Sequence, residues 1–254
     1  SEITILDGGD RFLPREDRDI AEEMLRVLNS KGIKVLQGVK IEAFRDNTAD
    51  TSVITSQGEF TADAVLVGVG RVPNTQGLGL ANAGIETDPS GFILVDDHLR
   101  VQGKNHIWAM GDVAGSPMFT YISLDDYRIV REQLFGDGKR NRADRTPFPT
   151  ATFTEPPLAH IGLTETAAQQ SGREVKVLKL KADAIPKAKI LNQTDGLLKA
   201  VVDAHSGEIL GVTLFCAEAH EIINLFKMAI DFRVPARYVK NQIFTHPTIA
   251  EGLN

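Results

Sequence analysis

The first residues form an apolar run rich in β-branched side chains, Glu2 to Leu6, that stops at Asp7-Gly8-Gly9. This pattern predicts a buried parallel strand ending in a turn. Farther on, Ile20, Met24, Leu25 and Leu28 recur on one helical stripe with Gly32 as its stop, and Ile33 to Leu36 reads as the next strand. A strand, a helix and a strand in that order call for a parallel sheet, so the first 75 residues read as α/β. Further strands are predicted at Thr51 to Ser56 and Ala64 to Val69, and again at FILVDDHLRV and HIWAM. A helix from about Tyr121 to Phe135 follows, and the polar stretch Gly136 to Asn141 reads as a linker. Beyond it the order changes. TATFT, HIGL, VKVLKL, LLKAVVD and EILGVTLF crowd together, with His205-Ser206-Gly207 turning between the last two, which predicts an antiparallel sheet. Helices at about Thr164 to Ser171 and Glu218 to Phe232 complete an α+β second part.

Composition narrows the function classes. Hydrophobic residues at 42% and charged residues at 24% fit a folded globular chain. With 28 basic against 34 acidic residues the net charge is -6, which argues against nucleic acid or an anionic membrane as partner. No apolar run reaches the roughly 20 residues of a bilayer span, and the first residues carry no export signal, so a cytoplasmic location is expected. Cys216 is the single cysteine, which excludes a disulfide framework, a four-thiolate metal site or a two-thiol redox pair within these residues. His220-Glu221 begins a zinc-hydrolase pattern, but Asn224 stands where the second histidine ligand belongs, and no metal site is expected. The lysines between Lys179 and Lys189 read as a solvated edge strand and loop.

Several residues carry candidate chemistry. Asp7, at the end of the first strand, occupies the place where an acidic side chain accepts hydrogen bonds from a dinucleotide's ribose; it equally fits a turn aspartate. Gly68 and Gly70 in AVLVGVGRVPN, and Gly111-Asp112 in HIWAMGDVAG, follow apolar runs, where open α/β sheets bind ligands. Near the last residues, Thr248 and Glu251 have the spacing of a capping box.

GVGRVPN, WAMGDVAG, FTEPPLAHIGLTETAA and IFTHPTIAEGLN, in this order, resemble the flavin- and pyridine-nucleotide-dependent disulfide reductases, the class I group of glutathione reductase, lipoamide dehydrogenase and mercuric reductase. FTYISLDDYRIV and NQIFTHP are most similar to the reactive-chlorine-resistance flavoprotein branch. The resemblance implies an α/β nucleotide-binding part followed by an α+β interface domain, with residues 1–76 ending an NAD-binding domain, 77–146 returning to a FAD-binding domain and 147–254 forming a dimerisation domain. It implies FAD and NAD(P)H as cofactors, with Asp7 favouring NADH because a 2′-phosphate would be repelled there.

Asp112 matches the aspartate that holds the flavin's ribityl chain, Gly111 the glycine beside it, and Gly70 the glycine that contacts the nicotinamide dinucleotide. Thr120 and Tyr121 match a helix start that aims N–H groups at the flavin's pyrimidine edge. His246 and Glu251 match the acid/base pair, with a cis bond before Pro247. The expected protein is a homodimer reducing a disulfide, a metal ion or another small oxidant. Because neither a cysteine pair nor the glycine-rich FAD fingerprint occurs, these residues are expected to be the inactive C-terminal part of a longer enzyme. A dimerisation module without catalysis and a thiol-free NADH oxidase remain open alternatives.

Overall fold

The computed structural model describes residues 1–254. Strand β1 (Ile3–Leu6) pairs in parallel with β2 (Ile33–Leu36) through the crossover helix α1 (Arg18–Ser30), as the strand-helix-strand pattern requires. Ile20, Ala21, Met24 and Val27 form the buried stripe of α1, and Leu28 packs beside it half-buried. The stripe is thus rotated slightly from the expected one. Ile3 and Ile5 are exposed, contrary to the expected buried strand, because only one neighbour strand lies beside β1.

A three-stranded antiparallel sheet follows: β3 (Ile41–Asp46), β4 (Thr51–Thr55) and β5 (Gly58–Ala62), in the order β3-β4-β5. Its outer strands alternate too weakly in hydrophobicity to have been read from the sequence. The strand expected at Ala64 to Val69 does not form. Those residues are irregular and Leu66 is 97% exposed, since no strand of this chain supplies the ladder that would pair them.

Residues 92–110 also lack the two regular strands expected of them; isolated bridges Val95 to Val101 and Arg100 to Trp108 replace them. The reason is a tight reversal. The Asp96 carboxylate accepts the N–H groups of His98 and Arg100, and Leu99 adopts a left-handed φ of 63° while its side chain is fully buried. Ile93, Leu99, Val101, Ala109, Ala114 and Ile129 close a small core under helix α2 (Thr120–Phe135).

The last part follows the expected pattern. Strands β6 (Thr150–Thr152), β7 (Leu158–Gly162), β8 (Val175–Lys181), β9 (Leu197–Asp203) and β10 (Ile209–Phe215) form one antiparallel sheet in the order β6-β7-β10-β9-β8. Lysine-rich β8 lies at its edge, where its charged side chains discourage further pairing. Short helices α3 (Glu165–Gln170), α4 (Pro186–Leu191) and α6 (Ala236–Lys240) flank the sheet's connections. The 13-residue α5 (Ala219–Asp231) lays Ile222, Ile223 and Phe226 on Ala159, Ile161, Val212 and Leu214. Each such buried aliphatic side chain contributes about 2 kcal/mol.

Two compact units result: residues 1–65 together with 147–254, and residues 66–146. The first unit includes a second apolar cluster, in which Ile20, Met24 and Val27 of α1 meet Leu158 and Phe215 of the large sheet. No helix is long and apolar enough to cross a membrane.

Candidate functional site

In the first unit, the chain after α6 runs without regular structure to a single helical turn at Ala250–Leu253. Thr248 and Glu251 cap this turn reciprocally. The Thr248 N–H donates to Glu251 Oε1 at 3.2 Å, and the Glu251 N–H donates to Thr248 Oγ1 at 3.3 Å. The other carboxylate oxygen, Oε2, lies 2.7 Å from His246 Nδ1. Glu251 thus caps the turn and is also hydrogen-bonded to His246. The His246-Pro247 bond is cis. Ile249, buried, anchors the turn, so the His246 side chain is 67% exposed while the Glu251 side chain that orients it is only 16% exposed. A carboxylate accepting at Nδ1 leaves Nε2 as the position at which the imidazole can take or give a proton.

Asp7 lies in the same unit. Its Oδ1 accepts the Gly9 N–H at 2.9 Å, and its backbone continues the pairing to Leu36 and Val39. The turn reading is thus realised, and the carboxylate stands at the strand end that the ribose reading needs.

In the second unit, Gly111 and Asp112 start a helical turn, Gly111–Ala114, and α2 begins at Thr120. Gly111 has φ 73°, and a Cβ there would stand 2.9 Å from Ser123 Oγ on the first turn of α2. Only glycine permits that approach. Asp112 and Thr120 are exposed, and Tyr121, 42% exposed, stacks on Phe119 at 5.1 Å, where burial raises its hydroxyl's pKa. Gly70, at φ 130°, has open space where a Cβ would be, and the next residue, Arg71, donates to the Met118 carbonyl at 3.1 Å just before α2. Gly70, Gly111, Asp112, Thr120 and Tyr121 thus belong to one unit, and Asp7, His246 and Glu251 to the other.

Sequence reasoning missed two charged groups. Asp126 falls on the apolar stripe of α2 between Ile122 and Ile129 and is fully buried, accepting the Gly111 N–H at 2.7 Å and pairing with Arg145. An acid on an apolar stripe was the available signal. Beside it, burial opposes the charge of Asp125, but hydrogen bonds from Arg145 and Arg140 hold its carboxyl below the ordinary value.

The other group centres on Lys199 of β9, whose side chain is 2% exposed and reaches Asp17 at 2.9 Å, Asp19 at 3.0 Å and Glu165 at 2.6 Å. Asp17 also accepts the N–H groups of Glu165 and Thr166 at 2.8 and 3.1 Å, capping α3 from the start of α1. A lysine in the otherwise apolar LLKAVV run was its signal. Cys216 is buried, and desolvation pushes its thiol up to about 12, which rules out a reactive thiolate near neutral pH. No group of three or more His, Cys, Asp or Glu side chains is placed to hold a metal.

Two family models match this chain: residues 1–126 match "Pyridine nucleotide-disulphide oxidoreductase", and residues 148–254 match "Pyridine nucleotide-disulphide oxidoreductase, dimerisation domain". The chain belongs to this class I disulfide oxidoreductase family, with a nucleotide-binding part followed by an α+β dimerisation domain. It is 43% identical over 254 residues to the probable pyridine nucleotide-disulfide oxidoreductase RclA of Escherichia coli, covering 100% of this chain and 57% of that protein. Mercuric reductase of Staphylococcus aureus is 32% identical over 257 residues, covering 100% of this chain and 47% of the relative. Among solved structures, the Cu(II) complex of the HOCl-induced flavoprotein disulfide reductase RclA from Escherichia coli superposes with a TM-score of 0.97 at 42% identity, covering 100% of this chain and 57% of that one. The chain spans about half the length of the curated relatives it matches.

Proposed function

We propose that this chain is part of a FAD-dependent oxidoreductase that takes a hydride from NAD(P)H, with NADH favoured, and delivers the electron pair to a disulfide, a metal ion or another oxidant. The observation that carries the reading is the 2.7 Å contact between His246 and Glu251 in a chain whose two parts match the nucleotide-binding and dimerisation models of one family. One of the similar solved structures is a Cu(II) complex, which supports a metal ion among the oxidants.

The donor set of the second unit suits a flavin. Asp112 presents an exposed carboxylate to sugar hydroxyls, and the start of α2 at Thr120 would meet the flavin's pyrimidine edge. FAD held there would supply the two-electron chemistry between the nicotinamide and the oxidant. Gly70 leaves room for a dinucleotide backbone, and Asp7 accepts from ribose hydroxyls while repelling a 2′-phosphate. His246, held through Nδ1 by Glu251, exchanges at Nε2 the proton that accompanies thiol chemistry. Cys216 is the only cysteine and is buried, so the thiol pair of a disulfide reductase would come from outside residues 1–254. We further propose the segments 1–76, 77–146 and 147–254 as NAD-binding, FAD-binding and dimerising parts of a homodimer.

In the natural full-length protein the purified enzyme should be yellow and oxidise NADH faster than NADPH. His246→Gln should slow turnover about 100-fold while leaving flavin content unchanged. A colourless protein would favour the dimerisation module instead, and an unimpaired His246→Gln would remove the acid/base role.

A further inference from the structure

Around Gly111 the structure holds a charge that the proposed flavin site does not itself use. Asp126, on the second turn of α2, is completely buried, and its two oxygens are divided between two tasks. Oδ2 accepts the Gly111 N–H at 2.7 Å, whereas Oδ1 pairs with Arg145, which also reaches Asp125 at 2.7 Å. Arg140 pairs with Asp125 from the same returning segment. The carboxylate is therefore fixed from behind by a guanidinium and faces the one backbone N–H that precedes Asp112. Gly111 is free to adopt many conformations, and its left-handed φ of 73° is not enforced by a side chain of its own. The bond to Asp126 fixes the direction of the Gly111 N–H. It locks the residue before Asp112 to the same helix whose first turn begins at Thr120.

We propose that Asp126 is a positioning residue for flavin, acting through the Gly111 N–H to set the Gly111-Asp112 turn against the start of α2. The proposal rests on reading Asp112 and the α2 start as flavin ligands. Arg145 serves in turn to pair Asp126 and hold it in place, since a buried carboxylate without a cation would be costly.

The test compares Asp126→Asn, Asp126→Glu and Asp112→Ala in the natural full-length protein. It measures FAD dissociation by flavin fluorescence, the position of the bound flavin's absorption band, and the thermal unfolding of the flavin-free protein. Asn removes the charge and turns an amide toward Arg145; Glu keeps the charge but displaces the acceptor by one methylene. Both should weaken FAD binding by about tenfold or more, the scale of one hydrogen bond to a charged group, and should shift the flavin band. The Asp126→Glu protein should unfold within a few degrees of the unaltered one. Unchanged FAD affinity and an unshifted band in either folded variant, with Asp112→Ala releasing FAD, would overturn the positioning role alone. Unchanged affinity in Asp112→Ala would overturn the flavin reading and this inference with it. Failure of both Asp126 variants to fold would assign Asp126 to stability instead and overturn the proposal.

Discussion

Glu251 shows how one carboxylate can cap a turn and hold a histidine at once. One oxygen accepts the Thr248 N–H and the other holds His246, so a change to alanine removes both. Glu251→Ala should destabilise the protein by about 1 kcal/mol, the usual cost of a lost cap, as measured by urea unfolding. Glu251→Gln, which retains an acceptor oxygen but no charge, should leave most of that stability and still slow turnover. Cys216 gives a second residue-scale prediction. Its buried thiol, pushed up to about 12, should resist a thiol-titrating reagent at pH 8 in the folded protein and react fully in denaturant. Prompt reaction in the folded state would contradict the burial.

At the scale of elements, the Lys199 cluster joins the start of α1, the start of α3 and the middle of β9. Burial disfavours the charge of Lys199, but Glu165, Asp17 and Asp19 hold its pKa above the ordinary value. Burial likewise opposes Asp17 and Asp19, yet hydrogen bonds from Lys199 and from the Glu165 and Thr166 N–H groups hold Asp17, and hydrogen bonds from Lys179 and Lys199 hold Asp19, below their ordinary values. The aspartates' contribution is therefore complete above about pH 4 and is lost as pH falls through their depressed values; that of Lys199 is complete below about pH 10 and is lost as pH rises further. Unfolding free energy should be flat between these limits and decline at both ends. Lys199→Met, which leaves Asp17 and Glu165 without a cation, should cost about 3 kcal/mol at pH 7 and flatten the alkaline decline.

The same elements show what the sequence could disclose. The five strands of the large sheet and helix α5 were legible because alternation and a continuous apolar stripe leave little choice of face. Residues 92–110 were not, because their apolar residues suggest strands while Asp96 and Leu99 impose a reversal. Nor does a strand pattern at Ala64 to Val69 become a strand without a neighbour to complete its ladder. Of the site, the His246 and Glu251 pairing followed from a motif, whereas Asp126 was hidden because its partners, Gly111 and Arg145, are 15 and 19 residues away.

At the scale of the whole molecule, the dimerisation-domain match predicts that sedimentation at micromolar concentration reports a dimer. A monomer at that concentration would separate this chain's assembly from the family pattern. The arrangement of the first unit has a consequence for how it comes apart. Asp17 gives its two oxygens to Lys199 and to the first N–H groups of α3, while the apolar face of α1 lies on Leu158 and Phe215. Neither helix can leave without orphaning a charge or baring the sheet. Their opening should be cooperative: amide hydrogen exchange of Thr166 and of the central α1 residues should report a single shared opening free energy, although Asp17 and Thr166 stand 149 residues apart in the chain. Local fraying of α1 alone, with Thr166 still protected, would mean that this segment is a separate folding unit.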